Sequence, residues 1–125
     1  MKKFFGKTSR GTEIYAHTIS DGDISITVLD YGATLQKFEH KGTDIICGFD
    51  SLETYISDKS HQGAVIGRYA NRIGGGKLTI DGVDYPIARN DGEAHLHGGN
   101  INFERHTWNV EEGVCHDGAP ALSCG

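Results

Sequence analysis

The chain has 125 residues, 37% of them hydrophobic, and a formal charge of −5 at pH 7, with a mean hydropathy of −0.40 and a pI near 5.7. That length suits one modest domain, residues 1–125 with no internal boundary, and no run of about 18 apolar residues is present to span a bilayer. The acidic balance argues against nucleic acid or an anionic membrane as the partner.

The basic start, Met1 to Lys7, has no apolar stretch behind it and so is not a secretory signal. Cys47, Cys115 and Cys124 are an odd set with no Cys-x-x-Cys pair, a pattern of reducing compartments that predicts a cytoplasmic protein. Eighteen glycines against two prolines predict a turn-rich β protein.

In chain order, Glu13 to Ile19 reads as a strand, and Ser20-Asp21-Gly22-Asp23 turns it. Ile24, Ile26 and Val28 then alternate with Ser25 and Thr27, the period of a strand with one buried face. Tyr31 to Glu39 reads as a third strand, His40-Lys41-Gly42-Thr43 as a turn, and Ile45-Ile46-Cys47 as a short apolar run. Ile24, Ile26, Val28, Ile45 and Ile46 are the expected inner-face residues. Asp50-Ser51-Leu52-Glu53 sets capping oxygens ahead of a short helical turn. Lys77–Ile80 and Val83–Ile87 flank Asp81-Gly82, a pair suited to a type I′ hairpin turn. Trp108-Asn109-Val110 opens a strand, with Ala119–Ser123 as its partner across His116-Asp117-Gly118. Short strands with turns at this spacing predict an all-β antiparallel sandwich.

Two segments carry candidate chemistry. Gly67-Arg68-Tyr69-Ala70-Asn71-Arg72-Ile73-Gly74-Gly75-Gly76 sets two guanidinium groups and a carboxamide among small residues. Such donors suit an oxygen-rich ligand, and equally a solvated loop. A phosphate loop is excluded because Leu78 follows Lys77, and a dinucleotide fingerprint because Thr79 occupies the third glycine position. The second segment is Glu93-Ala94-His95-Leu96-His97-Gly98-Gly99-Asn100. On a strand, His95 and His97 would share a face and could chelate a metal. Glu104 stands too far downstream for a cupin-type ligand set, so no metal is assigned. A histidine beside two glycines can instead donate to a ligand in a cleft, or sit in a surface turn. His17, His40, His61, His106 and His116 are scattered and read as solvated.

Taken together, the ordered motifs resemble the aldose 1-epimerases, or galactose mutarotases. They are Tyr31-Gly32-Ala33-Thr34-Leu35, Gly48-Phe49-Asp50, Gly67-Arg68-Tyr69-Ala70-Asn71-Arg72-Ile73, Asp81-Gly82, Asn90, Leu96-His97-Gly98-Gly99, Phe103 and Trp108. The resemblance covers nearly the whole chain. It implies a large β supersandwich, incomplete here, with a small-molecule aldose such as galactose or glucose as ligand and no cofactor. Asn71, Arg72 and His97 match the family's substrate-binding positions. The family's acid, a second histidine, and its base, a glutamate, are expected beyond Gly125. The 125 residues alone are therefore expected to carry only the binding half of that apparatus, neither interconverting anomers nor forming a well-packed domain. A non-catalytic carbohydrate-binding sandwich and a cupin-like metal protein are the alternatives.

Overall fold

The computed structural model describes residues 1–125. In chain order the elements are β1 (Lys2–Lys7), β2 (Glu13–Asp21), β3 (Ile24–Leu29), β4 (Thr34–His40), β5 (Thr43–Asp44), α1 (Leu52–Ser57), β6 (Arg72–Ile73), β7 (Lys77–Ile80), β8 (Val83–Pro86), β9 (His95–Leu96), β10 (Val110–Val114) and β11 (Pro120–Cys124). All strand pairs are antiparallel. No helix is long and apolar enough to cross a membrane. Contacts gather into two units, one of Met1–Val65 with Thr107–Gly125 and one of Ile66–His106.

The first unit is a five-stranded meander, β1-β2-β3-β4-β5, with the β10–β11 hairpin. Its turns follow from residue type. Lys41 and Gly42, at φ 51° and 77°, make the two-residue left-handed link between β4 and β5 that suits a twisted hairpin. Burial centres on Ile14, Leu29 and Leu52, each at most 1% exposed, with Ala16, Tyr31 and Tyr55 around them. The short α1 reaches this core because Ser51 caps it, its hydroxyl accepting from the Thr54 amide at 3.3 Å. Gly6, at a bulge in β1, leaves room for α1; a Cβ there would stand 2.8 Å from the Leu52 Cβ. Tyr55 closes the cluster edge-on to Phe49, ring centroids 5.1 Å apart, and its hydroxyl accepts from the Phe49 amide at 2.9 Å.

Two expectations about burial fail here. Ile24 and Ile45 are 44% and 59% exposed, not inner-face residues. The core forms at the far end of β3, where Thr27, Val28 and Leu29 are buried in succession and the register with β4 slips by one residue. Burial on both sides cancels the alternation read from the sequence. His17 is only 4% exposed rather than solvated, because β11 packs against β2. Its Nε2 has no hydrogen-bond partner and lies 3.8 Å from the Asp30 carboxylate. Burial pushes the Asp30 carboxyl above its usual range, opposed by the Tyr15 amide it accepts from and by His17 and Lys2.

The second unit is built differently. It holds the β7–β8 hairpin and the two-residue β6–β9 pair. Asp81 and Gly82, at φ 50° and 77°, form the hairpin turn as their sequence predicts. Every residue of β7 and β8 is exposed. The unit's buried residues are Gly67, Gly76, Gly99, Asn102 and Glu104. The last two bond to each other at 3.0 Å.

Candidate functional site

The site grows from the smallest sheet. Arg72 pairs with Leu96 and Ile73 with His95, so Asn71 and His97 face each other where β6 begins and β9 ends. Both have left-handed backbones, at φ 62° and 52°, which turn the chain sharply off the ladder. Two reciprocal bonds join them. The Asn71 amide donates to the His97 Nδ1 at 2.9 Å, and the His97 amide donates to the Asn71 carbonyl at 3.1 Å. With Nδ1 acting as acceptor, the neutral imidazole carries its proton on Nε2.

Asn71 also bonds locally, its Oδ1 accepting from the Arg72 amide at 2.9 Å, while its Nδ2 makes no bond. The Arg72 Nε donates to the Asp91 Oδ2 at 2.6 Å, with side chains 58% and 39% exposed. Both Arg72 Nη groups make no hydrogen bond within the chain. Asn90 grips Leu96 from the side, its Oδ1 accepting from the Leu96 amide at 2.8 Å and its Nδ2 donating to the Leu96 carbonyl at 2.9 Å. Those two bonds extend a strand pair that is otherwise too short to fix its own register.

Glycine shapes the approach. Gly98, at φ 88°, has no room for a side chain, because a Cβ would land on the Gly67 carbonyl oxygen. Gly67 lies flat against the Phe103 ring, where a Cβ would also collide. A separate cavity of about 340 Å³ is lined by Arg68, Tyr69, His95, Phe103 and His106 among others, and Asn71, Arg72 and His97 do not line it.

The structure thus brings Asn71, Arg72 and His97 together as three adjoining groups. It corrects the expectation that His95 and His97 share a strand face. β9 ends at Leu96, and the left-handed backbone at His97 breaks the alternation. The two imidazoles are held in opposite tautomers. The His95 Nδ1 lies 2.8 Å from the Ala88 carbonyl, which can only accept, so that nitrogen keeps the proton. No three His, Cys, Asp or Glu side chains converge as a metal-binding group. Asp91 is the site residue that sequence reasoning missed; the turn signal in Asn90-Asp91-Gly92 was the available clue.

Comparison with known proteins places the chain in one family. Residues 15–118 match the family model described as aldose 1-epimerase. A galactose mutarotase from Bos taurus is 36% identical over 95 residues, covering 72% of this chain and 28% of the relative. The bifunctional protein gal10 of Schizosaccharomyces pombe is 36% identical over 91 residues, covering 71% of this chain and 13% of its own length. Among solved structures, galactose 1-epimerase from Lactobacillus acidophilus superposes with a TM-score of 0.81 at 26% identity, over 93% of this chain and 35% of that one. An aldose epimerase homologue from C. elegans gives 0.70 at 31% identity, over 79% and 33%. The chain therefore spans about a third or less of each of these relatives.

Proposed function

The chain belongs to the aldose 1-epimerase family, and from that premise we propose that it supplies the sugar-holding part of a mutarotase acting on hexoses such as galactose and glucose. The observation that carries this reading is the Asn71–His97 pair of reciprocal hydrogen bonds beside Arg72. It sets one carboxamide and one guanidinium as donors beside an imidazole. A pyranose presents a ring of hydroxyl oxygens, and neutral and charged donors of this kind hold them in one orientation.

Mutarotation needs a base to take the anomeric hydroxyl proton and an acid to protonate the ring oxygen. The ring opens, rotates about its first carbon–carbon bond and closes on the other face. Each proton-transfer group must lie within hydrogen-bond reach of the sugar. In our reading Asn71, Arg72 and His97 orient the ring, and the acid and base come from outside residues 1–125. The unpaired thiols of Cys47, Cys115 and Cys124 fit a reducing, cytoplasmic setting.

The test is a pair of measurements on the purified chain. Titration with galactose and glucose, followed by amide and side-chain NMR, is expected to move Asn71, Arg72 and His97 first. Polarimetry of freshly dissolved α-glucose is expected to give no enzyme-level acceleration. Saturating shifts confined elsewhere would overturn the binding assignment, and rapid turnover would place a proton-transfer group among these 125 residues.

A further inference from the structure

Arg72 is the longest of the three side chains assigned to the sugar, and more than half of it is exposed. A guanidinium so placed samples many orientations unless something holds it. The chain carries such a holder in Asp91. Its backbone is fixed by a tight turn, in which the Asp91 amide donates to the Ala94 carbonyl at 3.1 Å and the Ala94 amide returns a bond at 2.9 Å. Gly92 provides the left-handed residue, at φ 58°, that the turn needs. Immediately before it, Asn90 is locked to Leu96 by two bonds. The Asp91 carboxylate thus projects from a backbone tied on both sides.

That carboxylate takes the Arg72 Nε at 2.6 Å. The consequence is geometric. With Nε engaged, the guanidinium plane is set, and its two Nη groups, unbonded within the chain, form the edge left for a ligand. We propose that Asp91 is a positioning residue that turns the Nη edge of Arg72 toward the sugar. The proposal rests on the reading of Arg72 as a sugar-binding group. Two neighbouring Nη donors side by side match two neighbouring hydroxyl oxygens, so the recognised element is a vicinal diol of the aldose.

A purely structural ion pair would behave differently. Exposed pairs contribute little to stability and lose what they contribute in salt. The test therefore reads ligand affinity and the state of the arginine. In Asp91→Ala the Arg72 Nε–Hε signal should move and exchange faster with water, while the amide spectrum of Met1–Val65 stays unchanged. Galactose affinity should fall by about 5–30-fold, the scale of one well-placed charged contact. Asp91→Glu should recover most of it and Asp91→Asn only part. In an Arg72→Ala background, Asp91→Ala should cost nothing further, because its effect passes through the arginine. Equal losses in both backgrounds, or unchanged affinity in Asp91→Ala, would overturn the positioning role. If the unsubstituted chain shows no galactose shifts at Arg72, the sugar-binding reading itself fails, and the positioning role fails with it.

Discussion

Unit 66–106 and the rest of the chain use different means to fix their structure. Met1–Val65 with Thr107–Gly125 hides Ile14, Leu29, Leu52 and two tyrosines from water. Ile66–His106 fully buries no apolar side chain, Ile73, Ile87, Leu96 and Phe103 being half-buried; its buried residues are three glycines, an asparagine and a glutamate. The first region is specified by burial, which is strong and non-directional. The second is specified by left-handed backbones, close backbone approach and side-chain-to-backbone bonds. Each of these is weaker but directional. The candidate sugar-binding residues lie in the second region. Ligand contacts need fixed angles and exposed donors, and a packed apolar core provides neither.

The largest effect should come from the core of the first region. Leu52, 1% exposed, touches the cluster from α1 and backs onto Gly6. Leu52→Ala should cost about 2–5 kcal/mol, the range for a buried leucine that leaves a cavity. A denaturant melt followed at Trp108, which belongs to the same unit, checks it. A cost below 1 kcal/mol would mean the cluster is not closely packed, and the contrast between the two regions would collapse.

Much of this contrast was legible in the sequence, but not evenly. The hairpin turns at Lys41-Gly42 and Asp81-Gly82 were readable because few dipeptides tolerate two left-handed residues in succession. The α1 cap was readable because capping oxygens at Asp50 and Ser51 stand just ahead of Leu52-Glu53, the pattern of a helix start. The grouping of Asn71, Arg72 and His97 came from a resemblance, not from periodicity. Burial was poorly legible. His17 is covered where β11 packs on β2, across about a hundred residues of chain that no local pattern reports. Ile24 obeys the strand pattern and yet lies outside the core, as does Ile45, just past the end of β5. Asp91 was missed because an ion pair 19 residues apart leaves no trace in spacing.

Next in size is a backbone test of the second region. Gly98 sits at φ 88°, and a Cβ there would meet the Gly67 carbonyl. Gly98→Ala should cost at least about 1–2 kcal/mol from the left-handed conformation alone, and more from the collision. The change should scatter the amide signals of Asn71, Leu96 and His97 and abolish galactose shifts. Signals from β2, β3 and β4 should hold. If the disturbance spreads equally through both regions, they do not fold as separately specified parts.

A smaller effect, in pH dependence, separates the regions by sign. Burial raises the Asp30 carboxyl above its usual range in the folded state. The folded chain then holds that proton more tightly than the unfolded chain does. Stability from this group is full below the ordinary carboxylate value and is lost as pH rises through the higher folded value. Asp30→Asn, which keeps an oxygen for the Tyr15 amide, should remove that downward slope and leave the chain no less stable at neutral pH. Melts across the acid range test this; an unchanged slope would assign it to other groups.

The smallest effect belongs to Asp84 on the exposed β7–β8 hairpin. Its carboxylate takes the Lys77 ammonium at 2.5 Å and the Thr79 hydroxyl at 2.6 Å. These two bonds, Lys77 first, hold its carboxyl below the usual range. The sign is opposite to that of Asp30. The contribution is present above the ordinary carboxylate value and is lost as pH falls through the lower folded one. Both partners are solvated, at 56% and 52% exposure, so screening should leave little of it in the melt. Asp84→Asn should shift the Lys77 and Thr79 side-chain signals while leaving the melting midpoint unchanged in high salt. A midpoint that drops in salt would mean the hairpin is held by more than surface charge. The second region would then have an apolar anchor that its exposed strands do not suggest.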